Sequence, residues 1–400
     1  MPFREENLEE IIFEKESLLK GFQYNEYEFS SKIKFTEYNN AYYLGSLDNP
    51  YMALVTMIDK EASTVDIHQD TITILGAAFS NMENVTEINI PDNVRVINPN
   101  AFFGCTSLKT VTMKNVEYIG DYAFNGCVEL ENLDLGEKLE ELGKYVFYSD
   151  ALPRCSKLKS ITLPNTLKRL NAASLGGLVL DELIIPDSVE RMHRFVIGAS
   201  TIKKLTIPFI GEDKDHPIDI MDMYFDAKAL EYLNITNMTY ITSDVNLEDL
   251  PNLITLKIKA KVIQDSGIED LPSLKYLEVE YESLIGSDCI AWNLELLEVK
   301  LITNYDTIGR DMFNNCNKLQ SIILPESTIV ICTGAFMNCN SLEYIVIPES
   351  VSTIGDSSFQ NNIKLFFESE YTPTDFYGGN TIYLPGQWEY VDGVPTPKQN

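Results

Sequence analysis

The sequence predicts a right-handed solenoid of short stacked coils, with one long parallel β-sheet on its concave face and an irregular or short-helical convex side. Two observations predict this fold. The segments "LQSIILPESTIVICTGAFMNCN" and "LEYIVIPESVSTIGDSSFQNN" begin at residues 319 and 342 and carry apolar residues at matching offsets. The underlying pattern, L-x-x-I-x-I, recurs along most of the chain, and self-similarity at a fixed period is the signature of a repeat architecture.

Each coil is expected to begin where this pattern begins. The starts lie at residues 85, 108, 130, 158, 180, 202, 230, 253, 274, 294, 319 and 342, and a degenerate start at Ala62 brings the array to about thirteen coils. Positions 1, 4 and 6 alternate as in a strand, so positions 4 and 6 face the core while positions 3 and 5 face outward. A following proline, as at Pro325 and Pro348, lacks a ladder donor and ends the strand.

Two further sets of residues recur at fixed positions and should be buried. The first contains the isoleucines of the V-x-x-I segment: Ile97, Ile119, Ile331 and Ile354. The second contains cysteines, which we interpret as buried, reduced thiols rather than disulfides or metal ligands. These are Cys105, Cys127, Cys155, Cys316 and Cys339. Coils from 202 to 293 lack the A-F-x-x-C element, which predicts different convex packing there.

The open ends of a solenoid need covers, because each coil is stabilised by its neighbours. Residues 1–61 are predicted to form an N-terminal cap. It contains an amphipathic helix in "EENLEEIIFEKESLLKGF", a hairpin with an Asn-Asn turn and the strand "YMALVTMI". The repeats should then occupy residues 62–364, and the aromatic segment 365–400 should form a C-terminal cap and tail.

Composition excludes several classes of partner. The formal net charge of −29 argues against nucleic acid, which needs clustered Lys and Arg. No apolar run reaches about 18 residues, so we expect no membrane insertion. The acidic start "MPFREENLEEIIF" does not resemble a signal peptide, so either the chain stays in the cytoplasm or an export signal lies elsewhere.

No pattern indicates catalysis, a metal or a cofactor. The histidines His68, His193 and His216 lie in different coils without ligands at metal spacing. His216 sits among the acids of "GEDKDHPID", which we interpret as a solvated insertion loop, with an ion site as the alternative. Known hydrolase, phosphate-loop and dinucleotide motifs are missing from the sequence. We therefore predict that the protein is not an enzyme.

The outward positions change in character along the chain. Thr110 and Thr112 typify the polar N-terminal half, whereas aromatic and apolar residues appear from residue 230 onward. The candidate partner-binding residues are Tyr232, Tyr276, Leu296, Ile323, Tyr344 and Val346. Exposed aromatics on a sheet are typical of an interface, but β-propensity also favours them there, so a plain sheet surface is the alternative.

Charged residues in the same half should form cross-strand ladders. The alignment places Lys257, Glu278 and Glu298 in one outward column. It places Lys259, Glu280 and Lys300 in the next. Opposite charges one coil apart favour ladder pairing over a basic ligand site.

The residues carry a resemblance to a known family. The unit "LxxIxIPxxVxxIgxxAFxxC", the leader "NNAYYLGSLDNPYMALV" and the trailing "WEYVDGVPT" resemble the BspA-type leucine-rich repeat family over roughly residues 33 to 395. The resemblance implies a leucine-rich repeat solenoid in a bacterial surface or secreted protein that binds host or microbial partners without catalysis. We expect a monomeric recognition or adhesion protein that binds a protein or glycan on its concave sheet. The alternative is a structural protein that self-assembles through the same surface.

Overall fold

The computed structural model describes residues 35–148, 155–223, 227–359, 362–370 and 380–398. The predicted N-terminal helix lies outside these residues. The chain forms two compact units, one of Met1–Lys203 with Asp222–Asp226 and the other of Lys204–Met221 with Ala227–Asn400.

The first unit contains thirteen described strands. They are β1 Thr36–Tyr38, β2 Ala41–Leu44, β3 Ala53–Met57, β4 Thr73–Ile74, β5 Glu87–Asn89, β6 Val96–Ile97, β7 Thr110–Thr112, β8 Tyr118–Ile119, β9 Asn132–Asp134, β10 Glu141–Leu142, β11 Arg169–Leu170, β12 Val179–Ile184 and β13 Arg191–Met192.

The first unit begins with an antiparallel hairpin, in which β1 pairs with β2 across Asn39 and Asn40. Both turn residues have positive φ, 39° and 66°. Asparagine adopts this left-handed region more readily than other side chains, which explains why an Asn-Asn pair forms the turn. Strand β3 pairs antiparallel with β2 and parallel with β4, so it joins the hairpin to the repeats.

Each coil of the first unit contributes to two parallel ladders rather than one. The L-x-x-I-x-I strands β5, β7 and β9 pair in register, with Glu87, Thr110 and Asn132 side by side. The V-x-x-I segments form a second ladder, β4-β6-β8-β10-β11-β13. Residues 158–163, all of them described, form no strand, so the first ladder is interrupted there.

The second ladder brings the predicted core isoleucines together. Ile97 and Ile119 are neighbours across β6 and β8, and both are fully buried. The backbone continues the ladder, because the Gly120 N–H donates to the Ile97 carbonyl at 2.8 Å. The predicted equivalence of these positions is therefore confirmed.

Phenylalanine and cysteine fill the remaining layers of the first unit. The rings of Phe79 and Phe102 stack with centroids 5.2 Å apart, and Phe124 continues the stack at 5.1 Å. The Cys105 thiol donates to the Phe79 carbonyl at 3.0 Å. Burial raises the pKa of Cys105 to about 12. The five cysteines of the repeat position are all buried, as the pattern predicts.

The second unit contains the remaining strands and short 3-10 helices. The strands are β14 Thr201–Ile207, which begins in the first unit, β15 Gly211–Asp213, β16 His216–Pro217, β17 Tyr232–Ile241, β18 Thr255–Gln264, β19 Tyr276–Glu280, β20 Ser283–Ile285, β21 Glu298–Ile302, β22 Thr307–Ile308, β23 Ser321–Ile323, β24 Val330–Ile331, β25 Tyr344–Ile347, β26 Thr353–Ile354, β27 Lys364–Phe367, β28 Thr381–Tyr383, β29 Trp388–Val391 and β30 Val394–Pro397. The 3-10 helices are Ile220–Asp222, at the boundary between the units, Ala227–Ala229, Ser243–Val245 and Leu247–Asp249.

The coils without the A-F-x-x-C element pack differently from the others. Here β17 and β18 extend to ten residues each. The 3-10 helix Ser243–Val245 follows β17 directly after Thr242. The phenylalanine stack resumes at Phe313, whose centroid lies 5.2 Å from that of Phe336.

The second unit repeats the isoleucine ladder of the first. Ile331 and Ile354 are neighbours across β24 and β26, and their exposed fractions are 0% and 8%. All four isoleucines of the predicted set are therefore buried at equivalent places.

Candidate binding surface

The candidate surface is the outward face of the ladder β17-β18-β19-β21-β23. Adjacent strands are parallel, and the first halves of β17 and β18 pair in register before a shift after Ile235. This register aligns Tyr232, Thr255 and Tyr276 across the first three strands. Glu298 and Ser321 continue this row on β21 and β23. The alternating residues point the other way, and those of the first three strands, Leu233, Leu256 and Leu277, are at most 3% exposed. The buried leucines hold the outward row in place.

Five of the six predicted binding residues are at least partly accessible, in different degrees. Tyr276 is 43% exposed and Ile323 is 85% exposed. Tyr232, Tyr344 and Val346 are half-buried. Tyr276 and Ile323 are therefore the strongest candidates.

The prediction for Leu296 is wrong, because its side chain is fully buried. The pairing of Tyr276 with Glu298 shows that this coil begins at Leu296 rather than at Leu294. The segment "LELLEV" fits the repeat pattern at either leucine, so the sequence alone allowed both registers. Leu294, by contrast, is 47% exposed.

The same shift by two residues corrects the predicted charge columns. Lys300 stands beside Glu278 in register, and Glu298 stands beside Tyr276. Glu278 forms two ion pairs, because its Oε2 lies 3.6 Å from Lys257 Nζ and 3.3 Å from Lys300 Nζ. The Lys259–Glu280 pair, at 2.7 Å, agrees with the predicted column. Exposed pairs of this kind stabilise a fold by at most about 1 kcal/mol each.

Lys257, Glu278 and Lys300 line an open groove of about 630 Å³, which we call the sheet groove. Its walls include Lys257, Tyr276, Glu298, Ile323 and Glu326. Within the described ranges, no ion pair involves Glu298 or Glu326. The repeat pattern did not indicate Glu326, because this residue follows Pro325 and lies beyond outward positions 3 and 5 of its coil.

A C-terminal aromatic cluster covers the outward face beyond this groove. Register places Phe366 in the same outward row as Val346 and Tyr383, yet Phe366 is fully buried. The Phe366 ring lies 4.8 Å from Tyr383 and 5.4 Å from Trp388, measured between centroids. Tyr344 packs edge-on against Phe366 at 6.3 Å. Tyr344 and Val346 therefore border this covered region, whereas Ile323 lies on the open face.

His216, which lies among acidic residues in the sequence, belongs to a surface hairpin. Strands β15 and β16 pair antiparallel, and His216 Nδ1 lies 2.7 Å from Asp213 Oδ1. The hydrogen bond and the charge of Asp213 raise the pKa of His216. No group of three metal-ligating side chains occurs among the described residues. The His216 side chain is 74% exposed, which agrees with the interpretation of "GEDKDHPID" as a solvated loop.

In the described part of the chain, no helix has the length and apolar character needed to cross a membrane.

Comparisons with known proteins agree with the repeat pattern. The profile described as "BspA type Leucine rich repeat region (6 copies)" matches residues 59–156, 149–275 and 283–367. No curated protein matches the sequence.

Several solved structures are similar to this chain at low identity. A leucine-rich cell surface protein of Faecalibacterium prausnitzii is 18% identical, with 86% of this chain and 97% of that one covered and a TM-score of 0.32. A leucine-rich repeat protein of Bacteroides ovatus is 19% identical, with 87% and 99% covered and a TM-score of 0.34. The pneumococcal vaccine antigen PcpA is 16% identical, with 90% and 99% covered and a TM-score of 0.38. At such TM-scores these likenesses support no conclusion about function.

The family profile accounts for most of the chain, with matches on both sides of β19. The chain belongs to the family of BspA-type leucine-rich repeat proteins.

Proposed function

We propose that this protein is a non-enzymatic recognition protein that binds a partner on the outward face of the second unit's sheet. The observation that carries the proposal is Ile323, which is 85% exposed in the wall of a groove. Tyr276 shares that groove and is 43% exposed. Aromatic and apolar groups that stand exposed on a rigid surface provide contact area at low entropic cost. A protein or a glycan is the proposed partner.

The rigidity of the surface supports this proposal. The residues between the outward side chains are buried, and β18, β19, β21 and β23 pair in continuous register. A surface fixed in this way loses little freedom on binding, so more of the contact energy appears as affinity.

The family, rather than the groove, supports a proposal about the compartment. Surface or secreted location is our proposal, because BspA-type repeats are associated with such proteins; a cytoplasmic location is the alternative. Protease added to intact cells of the source organism should remove the protein if it lies on the surface, and should leave it intact if it lies inside.

A matched pair of double variants tests the binding function. Tyr276→Ser with Ile323→Ser removes the exposed apolar groups, whereas Thr110→Ala with Thr112→Ala changes the outward positions of β7. Each protein is immobilised and presented with host and microbial extracts, and affinity is then measured for every captured partner. We expect the Tyr276→Ser, Ile323→Ser variant to lose about 30-fold or more in affinity, as loss of interface hot spots does, and the β7 variant to keep it.

Equal affinity in both variants would contradict the groove as the site. The melting temperatures should stay close to that of the wild type, because substitutions at exposed positions change stability little.

Self-assembly through the same surface is the competing function, and Ile323 is also the observation that favours it. Light scattering after size-exclusion chromatography separates the two. We expect the mass of one chain, 45.3 kDa, for the wild type. A discrete oligomer that Ile323→Ser converts to monomer would instead support self-assembly.

A further inference from the structure

The sheet groove carries an unbalanced charge. Two lysines, Lys257 and Lys300, both pair with Glu278. Glu298 and Glu326 line the same groove, and neither takes part in an ion pair within the described residues. Three carboxylates therefore face two ammonium groups, and the two unpaired carboxylates are available to a ligand.

Further carboxylates extend the negative charge beyond Glu326. Burial raises the pKa of the Glu368 carboxyl, and the charges of Glu326 and Glu349 raise it further. Burial likewise raises the pKa of the Tyr390 hydroxyl, with contributions from Glu368 and Glu326. These glutamates are thus close enough to repel one another, and no Lys or Arg pairs with them in the part of the chain that the structure describes.

Apolar groups lie next to the unpaired acids. Register places Glu298 beside Tyr276 in one row of the ladder, and Ile323 beside Lys300 in the next row. Alternate residues of one strand lie on one face, about 7 Å apart along it. An extended chain placed over this face would therefore meet carboxylates and apolar groups within the span of a few residues.

We propose that the sheet groove binds an extended basic polypeptide segment, with a Lys or Arg side chain at Glu298 and Glu326 and an adjacent apolar side chain on Ile323. This inference rests on the proposed function and names the chemistry of its partner. Charge complementarity supports a polypeptide rather than a neutral glycan, because unpaired carboxylates gain most from a cation. The formal net charge of −29 also favours the approach of a basic partner.

Defined probes test the proposal on the full chain. The probes are a fluorescein-labelled peptide of alternating Lys and Leu, its counterpart with Glu in place of Lys, and maltoheptaose. Binding is followed by fluorescence anisotropy for the peptides and by calorimetry for the sugar. The groove variant carries Glu298→Gln and Glu326→Gln. The charge-matched control carries Glu87→Gln and Glu137→Gln, which replace exposed carboxylates of the first unit.

We expect the basic peptide to bind and the acidic peptide not to bind. The groove variant should weaken binding of the basic peptide by about tenfold, as loss of two exposed charge contacts does, and the control should change it by less than about twofold. Salt raised from about 50 mM to about 500 mM should weaken the wild type more than the groove variant, because salt screens the contacts that the variant lacks.

Two outcomes would overturn the inference, and they differ in what they say about the proposed function. In the first outcome, maltoheptaose or both peptides bind, Ile323→Ser abolishes this binding, and the groove variant retains it. The groove is then a binding site, but its partner is not selected by charge. If the basic peptide does not bind at about 1 mM, or binds equally to the groove variant and the control, a basic segment is not the partner of this groove.

Discussion

At the scale of single residues, the same side chain has opposite roles according to whether neighbouring coils enclose it. Ile119 is fully buried between β6 and β10, whereas Ile323 is 85% exposed on β23. A buried isoleucine contributes to folding by leaving water and filling space. An exposed isoleucine contributes nothing comparable to the free energy of folding.

This contrast predicts the effect of truncating each residue. Ile119→Ala should lower the free energy of unfolding by about 2–5 kcal/mol, because a cavity opens between two coils. Ile323→Ala, the matched control, should change it by less than about 0.5 kcal/mol. Urea denaturation measures both. A loss below 1 kcal/mol at Ile119 would contradict its place in the core.

The cysteines also differ in burial, and their reactivity with thiol reagents should differ accordingly. Burial raises the pKa of Cys105 to about 12, so at pH 8 only about one thiol in ten thousand is a thiolate. Cys332 is half-buried and its pKa is raised by burial to a lesser degree. We expect a thiol reagent to label Cys332 first and Cys105 only after denaturation, as seen by peptide mass spectrometry. Labelling of Cys105 at the rate of Cys332 would contradict the burial.

At the scale of elements, the coil register decides which residues meet. The isoleucine ladder could be predicted because each V-x-x-I segment has one apolar fit to its neighbours. The position of Leu296 could not, because Leu294 fits the same pattern and only backbone pairing separates the two. The sequence predicted an aromatic C-terminal cap but not which side chain it would cover, because the burial of Phe366 depends on Trp388 and Tyr383, which lie in a segment without repeat pattern.

The hairpin of β15 and β16 should respond to pH. Asp213 raises the pKa of His216 through a hydrogen bond and its charge. A raised folded-state pKa means that the contact stabilises the hairpin fully below about pH 6.5, the ordinary value for histidine, and is lost as pH rises through the folded-state pKa. NMR titration of the His216 ring should give a midpoint above 6.5, and Asp213→Asn should bring it back toward 6.5. An unchanged midpoint in that variant would show that Asp213 does not hold the imidazolium.

At the scale of the whole molecule, the repeat makes stability a property of neighbouring coils. Most contacts that enclose a core residue come from the coil before it and the coil after it, as the pairing of Ile97, Ile119 and Leu142 shows. The sequence predicted this architecture well because its period is repeated many times, so single mismatches such as Leu294 do not obscure it. It predicted the exposure of the candidate surface residues less well, because outward positions carry no repeated pattern and depend on what else folds over them.

Nearest-neighbour stabilisation predicts local rather than global effects of a core mutation. Ile119→Ala should speed amide hydrogen exchange in β6, β8 and β10, because these strands share its contacts, and should leave β22, β24 and β26 unchanged. The reciprocal variant, Ile331→Ala, should speed exchange in β22, β24 and β26, where Ile308, Ile331 and Ile354 are paired, and should leave β8 unchanged. Hydrogen exchange with mass spectrometry resolves both sets of peptides in one experiment. Equal acceleration along the whole chain in either variant would mean that the protein opens as one cooperative unit. A mutation in a distant coil would then also destabilise the strands of the sheet groove.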